Sequence, residues 1–381
     1  MGCTAKTTAA ADTPKKKLKL NEKPERLALK TDAFDYILPD ELIAQSPAEP
    51  RESCRLLVLN RLDNSIEHKR FTDVLDYLMP GDLLVVNDTK VLPARLVGQK
   101  VAGEGAAEVL LLHRLPERDT NDPAQQHWEA LVKPGRRLKP GSKIDFDGIT
   151  AEVMDWSSEQ GKGQRILKLE ALGFASVNDA LQQLGTLPLP PYIKDYRGDT
   201  SLYQTVYARK QNSAAAPTAG LHFTEELLEK AQRKGCTLTR VCLEIGLDTF
   251  RKVEEEYIAD HKMHSEAYTI PDEAVRAIQA TKERGGRVIA VGTTVVRTLE
   301  SAAGAEGGLA PTNRSRTNLY ITPGYTFKVV DALITNFHTP RSTLLMLVAA
   351  FAGYDAMMEA YRQALEERYR LLSFGDAMLI V

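Results

Sequence analysis

The sequence predicts an α/β protein, of mixed α+β character, with a small antiparallel β-barrel inserted in its main domain. Three observations point there. Helical and strand-like runs alternate after residue 185 and begin again before residue 92; the block from Ala94 to Glu170 has short alternating runs and almost no helical period; and Gly, Pro and Asp punctuate that block at regular intervals. At 381 residues the chain is long enough to bury two cores.

Taken in order, residues 1–30 stand apart. They are Ala- and Thr-rich over Ala5–Thr13 and basic over Lys15–Lys19, and they lack the apolar stretch of a signal peptide. They read as a disordered tail, because so little apolar surface cannot offset the entropy of ordering. Gly2-Cys3 hints at acylation, but Lys6 stands where myristoylation wants Ser or Thr. Asp40 is placed to cap a short helix ending at Pro47. Arg55–Asn60 alternates as a strand, Asp63-Asn64 marks a hairpin turn, and Asp82–Val86 is a strand after the Pro80-Gly81 break. The barrel strands are Ala94–Val97, Glu108–Leu112, Trp128–Val132, Lys143–Phe146, Ala151–Trp156 and Arg165–Leu169. Beyond LPLPP the period changes. Thr224–Lys234 is a helix with Thr224 as N-cap, two acids in its first turn and Gly235 to close it. Thr237–Ile245 is a strand, Pro271–Arg284 a helix, Arg287–Val291 a strand, Val295–Ala302 a helix, Ala356–Arg370 a long helix and Ala377–Val381 a final strand. The expected partition is residues 31–92 and 185–381 as one discontinuous α/β domain, with 93–184 inserted.

Composition narrows the function. A hydrophobic share of 43% and a charged share of 26% are those of a soluble globular protein, and a net charge of −2 means that nucleic-acid binding needs a local basic patch. Four cysteines without a CxxC pair suggest neither zinc nor a disulfide scaffold, and fit a reduced, cytoplasmic setting. No apolar run approaches bilayer length; the longest, around Leu344–Phe351, reads as a buried element.

Chemistry concentrates in four places. In AAAPTAGLHFT (Ala214–Thr224), Pro217 and Gly220 forbid a helix interior, so Pro217, Thr218, Gly220 and His222 form a tight loop at the mouth of a helix, either an ordinary connection or a holder of a polar ligand. Gly292-Thr293-Thr294 is a strand-to-helix turn able to offer N–H donors. Arg297, one turn on, is placed to reach a carboxylate, and Glu300 to accept from a ribose hydroxyl or pair with Arg297; an ordinary capped turn is the alternative. No GxGxxG fingerprint is present. His261 and His264 are spaced HxxH without the one-face spacing of a zinc site, so no metal is expected; His264 and Glu266 would share one strand face, where a carboxylate tunes an imidazole for proton transfer, or where both are simply surface polar residues. His338, in a loop before an apolar helix, either braces the loop or acts. A basic run in LVKPGRRLKPGSK (Lys133, Arg136, Arg137, Lys139, Lys143) suits phosphates or a solvated face.

These motifs occur in a fixed order with LPLPPYI (Leu187–Ile193), YQTVYA (Tyr203–Ala208), RVIAVGTTVVRTLES (Arg287–Ser301), DALITNFHTPRSTLLMLVAAFAG (Asp331–Gly353) and SFGDAMLI (Ser373–Ile380). Together they closely resemble the S-adenosylmethionine:tRNA ribosyltransferase-isomerase family of queuosine biosynthesis, from about Phe34 to the C-terminus. The resemblance implies the same two-domain plan, S-adenosylmethionine as co-substrate with no permanently bound cofactor, tRNA as partner, no membrane, and a monomer. The implied reaction moves the ribose of S-adenosylmethionine to the aminomethyl group of a 7-deazaguanine in tRNA and rearranges it to an epoxycyclopentanediol, with loss of adenine and methionine. It needs a base near the 5′ carbon, an acid for adenine, and exclusion of water. His222, His264 and His338 are the candidate acid–base groups, with Glu266 or Glu244 orienting one. Pro217, Thr218, Gly220, Gly292, Thr293, Thr294 and Arg297 are the candidate substrate-binding residues. Arg51 and Arg55, in a segment matching the family, join Lys133, Arg136 and Arg137 as candidate RNA contacts, unless Glu49 or Glu52 pairs with them. The chain departs from the pattern LHVGxGTF: Glu244 stands for the histidine and Asp248 for a glycine, and Asn212 stands where glycine is common. Those changes imply either a different proton path or a relative that binds tRNA or S-adenosylmethionine without turnover. A third reading is an enzyme that uses S-adenosylmethionine with another acceptor.

Overall fold

The computed structural model describes residues 29–102, 105–157, 163–194, 196–246, 249, 251–304 and 308–381, without the side chains of 211 and 212. The N-terminal tail up to residue 28 and Asp248 lie outside the described residues, as does the side chain of Asn212.

The chain opens with a hairpin, β1 (Arg55–Leu59) and β2 (Ile66–Arg70), turned at Asn64 with φ 58°. β3 (Leu83–Asn87) is buried at every position, as its unbroken apolar run requires. A short β4 (Thr89–Val91) leads into β5 (Arg95–Lys100), β6 (Ala106–Arg114), β7 (Gln125–Lys133), β8 (Lys143–Asp145), β9 (Ile149–Trp156) and β10 (Gln164–Ala171), which close as an antiparallel barrel in the order β10-β7-β6-β5-β8-β9. All six strands expected there are present. Their alternation explains closure: residues such as Val109, Leu111, Ala130, Val132 and Leu167 fill one interior, with α1 (Val177–Leu184) packed against it.

The chain then returns to the larger sheet through β11 (Lys210–Ser213), paired in parallel with β4. α2 (Glu225–Arg233) starts where Thr224 Oγ1 accepts the Leu227 N–H at 3.2 Å, a cap contributing about 1 kcal/mol. It ends at Gly235, whose φ of 95° suits glycine. β12 (Thr237–Leu243), β13 (Glu266–Ile270), α3 (Asp272–Glu283), β14 (Val288–Val291), α4 (Thr293–Ala302), β15 (Thr312–Thr317), β16 (Ala332–Asn336), α5 (Thr343–Ala352), α6 (Tyr354–Glu366) and β17 (Ala377–Ile380) follow. The nine-stranded sheet runs β15-β13-β12-β3-β14-β16-β17-β1-β2, with β12, β3, β14 and β16 parallel and their carboxyl ends on one edge. Core side chains cover both faces. Leu345 and Met346 on α5 are fully buried, contributing roughly 1.5–3 kcal/mol each.

Two expectations are corrected. The helix expected from Asp40 to Pro47 is a single 3-10 turn, Asp40–Leu42, because Ile43 leaves it to bridge Leu371. The long C-terminal helix ends at Glu366 rather than Arg370 and is separated from α5 by Gly353, whose φ of 89° breaks the helical path. No single helix among the described residues is long and apolar enough to cross a membrane.

Candidate active site

Parallel strands end in loops, and the loops after β12, β14 and β16 surround a cleft at their carboxyl edge, the position where open α/β sheets bind ligands. Gly292 follows β14 at φ 98°, a conformation that favours glycine, and turns the chain so that α4 begins with Thr293 and Thr294 at the cleft. Asn87, at the end of β3, steadies this turn by donating to Thr294 Oγ1 at 3.3 Å. On the other side Pro217, Thr218 and Ala219 line the cleft on a 3-10 turn, Thr218–His222. That turn packs tightly: a Cβ on Gly220 would stand 1.9 Å from the Tyr207 hydroxyl. β16 contributes Thr335 and Asn336, and the loop beyond it His338. Tyr192, from the LPLPPY segment, lines the far side and hydrogen-bonds Ser373 Oγ at 2.7 Å.

The expected cluster thus forms in part. His338 lines the cleft; its Nε2 meets Thr335 Oγ1 at 2.9 Å, and its backbone N–H donates to the Tyr361 hydroxyl at 2.8 Å. Burial pulls its imidazole down to about 3, so it is neutral at physiological pH. His222 lies beneath the lining rather than in it. The Thr218 hydroxyl donates to Asn336 Oδ1 at 3.1 Å, and Asn336 Nδ2 donates to the Leu372 carbonyl and to His222 Nε2 at 3.1 Å. An accepting Nε2 leaves the His222 proton on Nδ1, 3.2 Å from Cys54 Sγ. Burial first, then the charges of Arg370 and Arg51, pull His222 to about 3.

His264 and Glu266 do meet, at 3.3 Å between Nε2 and Oε1, although His264 precedes β13 rather than sharing its face. Glu266 also accepts from Gly246 N at 3.0 Å and Thr249 Oγ1 at 3.3 Å, and pairs through Oε2 with Arg297 Nη1. Burial alone would raise this carboxyl, but Arg297, His264 and the Gly246 N–H hold it down to about 2. Arg297 therefore pairs with Glu266, not Glu300. Glu300 is taken up by the backbone N–H groups of Lys328, Val329 and Val330 and by the Tyr325 hydroxyl. Thr249 lines the first cleft, whereas His264 lines a second one between the barrel and the main sheet, and Glu266 touches both residues, so its pair with Arg297 links the two clefts.

The barrel reaches this second cleft through His113, whose ring lies so close that a Cβ on Gly246 would be 3.2 Å from its Cε1. Glu244 faces the same seam. It forms a two-point pair with Arg314 at 2.9 and 3.1 Å, and Arg314 Nη2 also donates to the barrel carbonyl of Arg114 at 3.1 Å. The acid standing for histidine is thus neutralised and helps to anchor the barrel. His261 pairs with Glu255 at 3.0 Å and lines the second cleft with His264, and among the described residues no three His, Cys, Asp or Glu side chains converge as a metal cage.

The candidate RNA residues divide. Arg51 donates to the carbonyls of Gln204 and Ser201 at 2.6 and 3.2 Å, which braces a loop. Arg55 stacks on Tyr369 at 3.8 Å and lines an open groove with Arg70, Arg368 and Arg370, with Cys54 at its floor. Lys133, Arg136 and Arg137 are exposed on the barrel, where Arg165 holds their loop by donating to Leu138 O at 2.8 Å. Sequence reasoning missed Thr335, Asn336, Tyr192, Thr249, Asn87, His113 and Cys54. Tyr192, Thr335 and Asn336 belong to quoted motifs, Thr249 and Cys54 to other family-like segments, and all five were within reach; Asn87 and His113 carry no local signal.

A family model described as queuosine biosynthesis protein matches residues 31–380. The S-adenosylmethionine:tRNA ribosyltransferase-isomerase of Symbiobacterium thermophilum is 51% identical over 349 residues, covering 91% of this chain and 98% of that one. The enzyme of the same name from Clostridioides difficile is 50% identical, with 92% and 100% covered. A crystal structure of S-adenosylmethionine tRNA ribosyltransferase from Thermotoga maritima is 40% identical, covers 92% of this chain and 100% of its own, and superposes with a TM-score of 0.50.

Proposed function

The chain belongs to the queuosine biosynthesis protein family, and from that membership we infer that it is an S-adenosylmethionine:tRNA ribosyltransferase-isomerase. It transfers and isomerises the ribosyl moiety of S-adenosylmethionine onto 7-aminomethyl-7-deazaguanine in tRNA, and releases adenine and methionine. The observation that carries this reading is convergence: segments as far apart in sequence as Pro217–Ala219, Gly292–Thr294, Thr335–Thr339 and Ser373 line one cleft at the carboxyl edge of the sheet. No observation favours the binding-only alternative.

In this reading the sulfonium nucleoside occupies the first cleft against Thr218, Thr293, Thr294 and His338, with Pro217, Gly220 and Gly292 shaping the backbone around it. The tRNA base enters by the second cleft, beside His264. His338 and His264 exchange protons with the reacting atoms. His222 acts through Asn336, and Glu266 through His264, as positioning residues. Arg55 with its groove, and Lys133, Arg136 and Arg137 on the barrel, meet tRNA phosphates, while Arg51 shapes the loop behind them. Residues 31–92 and 185–381 form the catalytic domain and 93–184 the insertion; the protein works as a cytoplasmic monomer without a bound cofactor. The test is to incubate pure protein with S-adenosylmethionine and tRNA carrying the aminomethyl base. Adenine and methionine released in equal amounts, with a matching gain of tRNA mass, supports the reading. RNA binding without adenine release overturns it in favour of the binding-only relative, and turnover without modified tRNA points to another acceptor.

A further inference from the structure

Arg297 is 4% exposed, and of its five N–H donors only those on Nη1 are engaged, with Glu266 and, at 3.4 Å, His264. Its Nε and Nη2 are buried and have no partner. These two nitrogens form the flat edge of the guanidinium that grips two oxygens side by side. Buried donors on a charged group are ordinarily filled, so an unfilled fork one helical turn behind the lining of a candidate active site calls for a ligand that fills it.

We propose that the Nε–Nη2 edge of Arg297 is the carboxylate subsite for the amino-acid tail of S-adenosylmethionine, an inference that rests on the functional reading above. Position supports it. Thr293 and Thr294 line the first cleft, and Arg297 follows them at i+4 and i+3, on the same face of α4 and one helical turn deeper. A turn advances about 5.4 Å, the reach of a short aliphatic tail. Charge selects the oxyanion. Glu266 is held ionised beside Arg297, so the pair is close to neutral and suits the single charge of a carboxylate better than a phosphate dianion. Glu266 thereby fixes the fork: it occupies Nη1 and leaves the bidentate edge unfilled.

The test compares S-adenosylmethionine with its decarboxylated analogue by calorimetry on the full chain, without tRNA. Wild-type protein is expected to bind the decarboxylated compound about 10- to 100-fold more weakly. Arg297→Lys keeps the charge opposite Glu266 but loses the fork, and is expected to shrink that ratio at least severalfold while its far-ultraviolet spectrum stays native. Equal affinity of wild-type protein for the two compounds overturns the subsite and leaves the functional reading intact. Failure to bind S-adenosylmethionine at all overturns both. Because the decisive comparison changes the ligand and not the protein, it survives a variant that does not fold.

Discussion

His338 in the first cleft and Glu266, which touches Thr249 of that cleft and His264 of the second, rest in different charge states. His338 has a hydroxyl for company and no counter-ion, so desolvation alone keeps it neutral. Glu266 is only 1% exposed, yet a guanidinium, an imidazole and a backbone N–H hold it ionised. Depth does not decide charge here; partners do. The first cleft therefore presents a neutral imidazole, and the Glu266–Arg297 pair is a fixed electrostatic element.

Substitutions can break this contrast, and the largest effect belongs to the cleft. His338→Ala is expected to lower turnover by about 10²- to 10⁴-fold with S-adenosylmethionine binding retained; a near-normal single-turnover rate would remove it from proton transfer. Next comes the buried ion pair. Glu266→Ala strands a buried guanidinium and should cost about 3–5 kcal/mol in urea unfolding, with the Glu266→Ala/Arg297→Met double variant recovering part of it.

A pH series sharpens the neutral half. His222 titrates at about 3 in the folded protein and near 6.5 unfolded, so between those values the unfolded chain binds more protons and stability falls as pH drops. From pH 6.5 to 5 this one group should account for about 1.6 kcal/mol, and His222→Gln should flatten that part of the curve. The smallest effect sets a solvent-facing arginine against the buried one. Arg368 is exposed beside the open groove, and Arg368→Gln should reduce the salt slope of tRNA binding by about 1 without changing S-adenosylmethionine affinity. An unchanged slope would take that groove out of the RNA footprint.

Where structure follows local pattern, the sequence was a good guide. The barrel strands alternate cleanly, and Thr224 and Gly235 mark the two ends of α2 as capping chemistry requires. β15 was invisible because TNRSRT is polar and lies at the sheet edge. The site was legible as backbone shape around Pro217, Gly220 and Gly292. Its pairings were not. Cys54 meets His222 across 168 residues, and Arg297 meets Glu266 where Glu300 was the nearer acid in sequence. No local rule anticipates such contacts, since they depend on the order of strands in the sheet.

Gly246 joins the barrel to the main sheet. At this point an imidazole from the barrel rests against bare backbone that also donates to Glu266, so one residue without a side chain serves as both seam and strut. A methyl group there would act as a wedge, easing the barrel outward and pulling an N–H away from the carboxylate in the same movement. The width of the gap between the two β-systems and the setting of the buried ion pair are thus one mechanical variable.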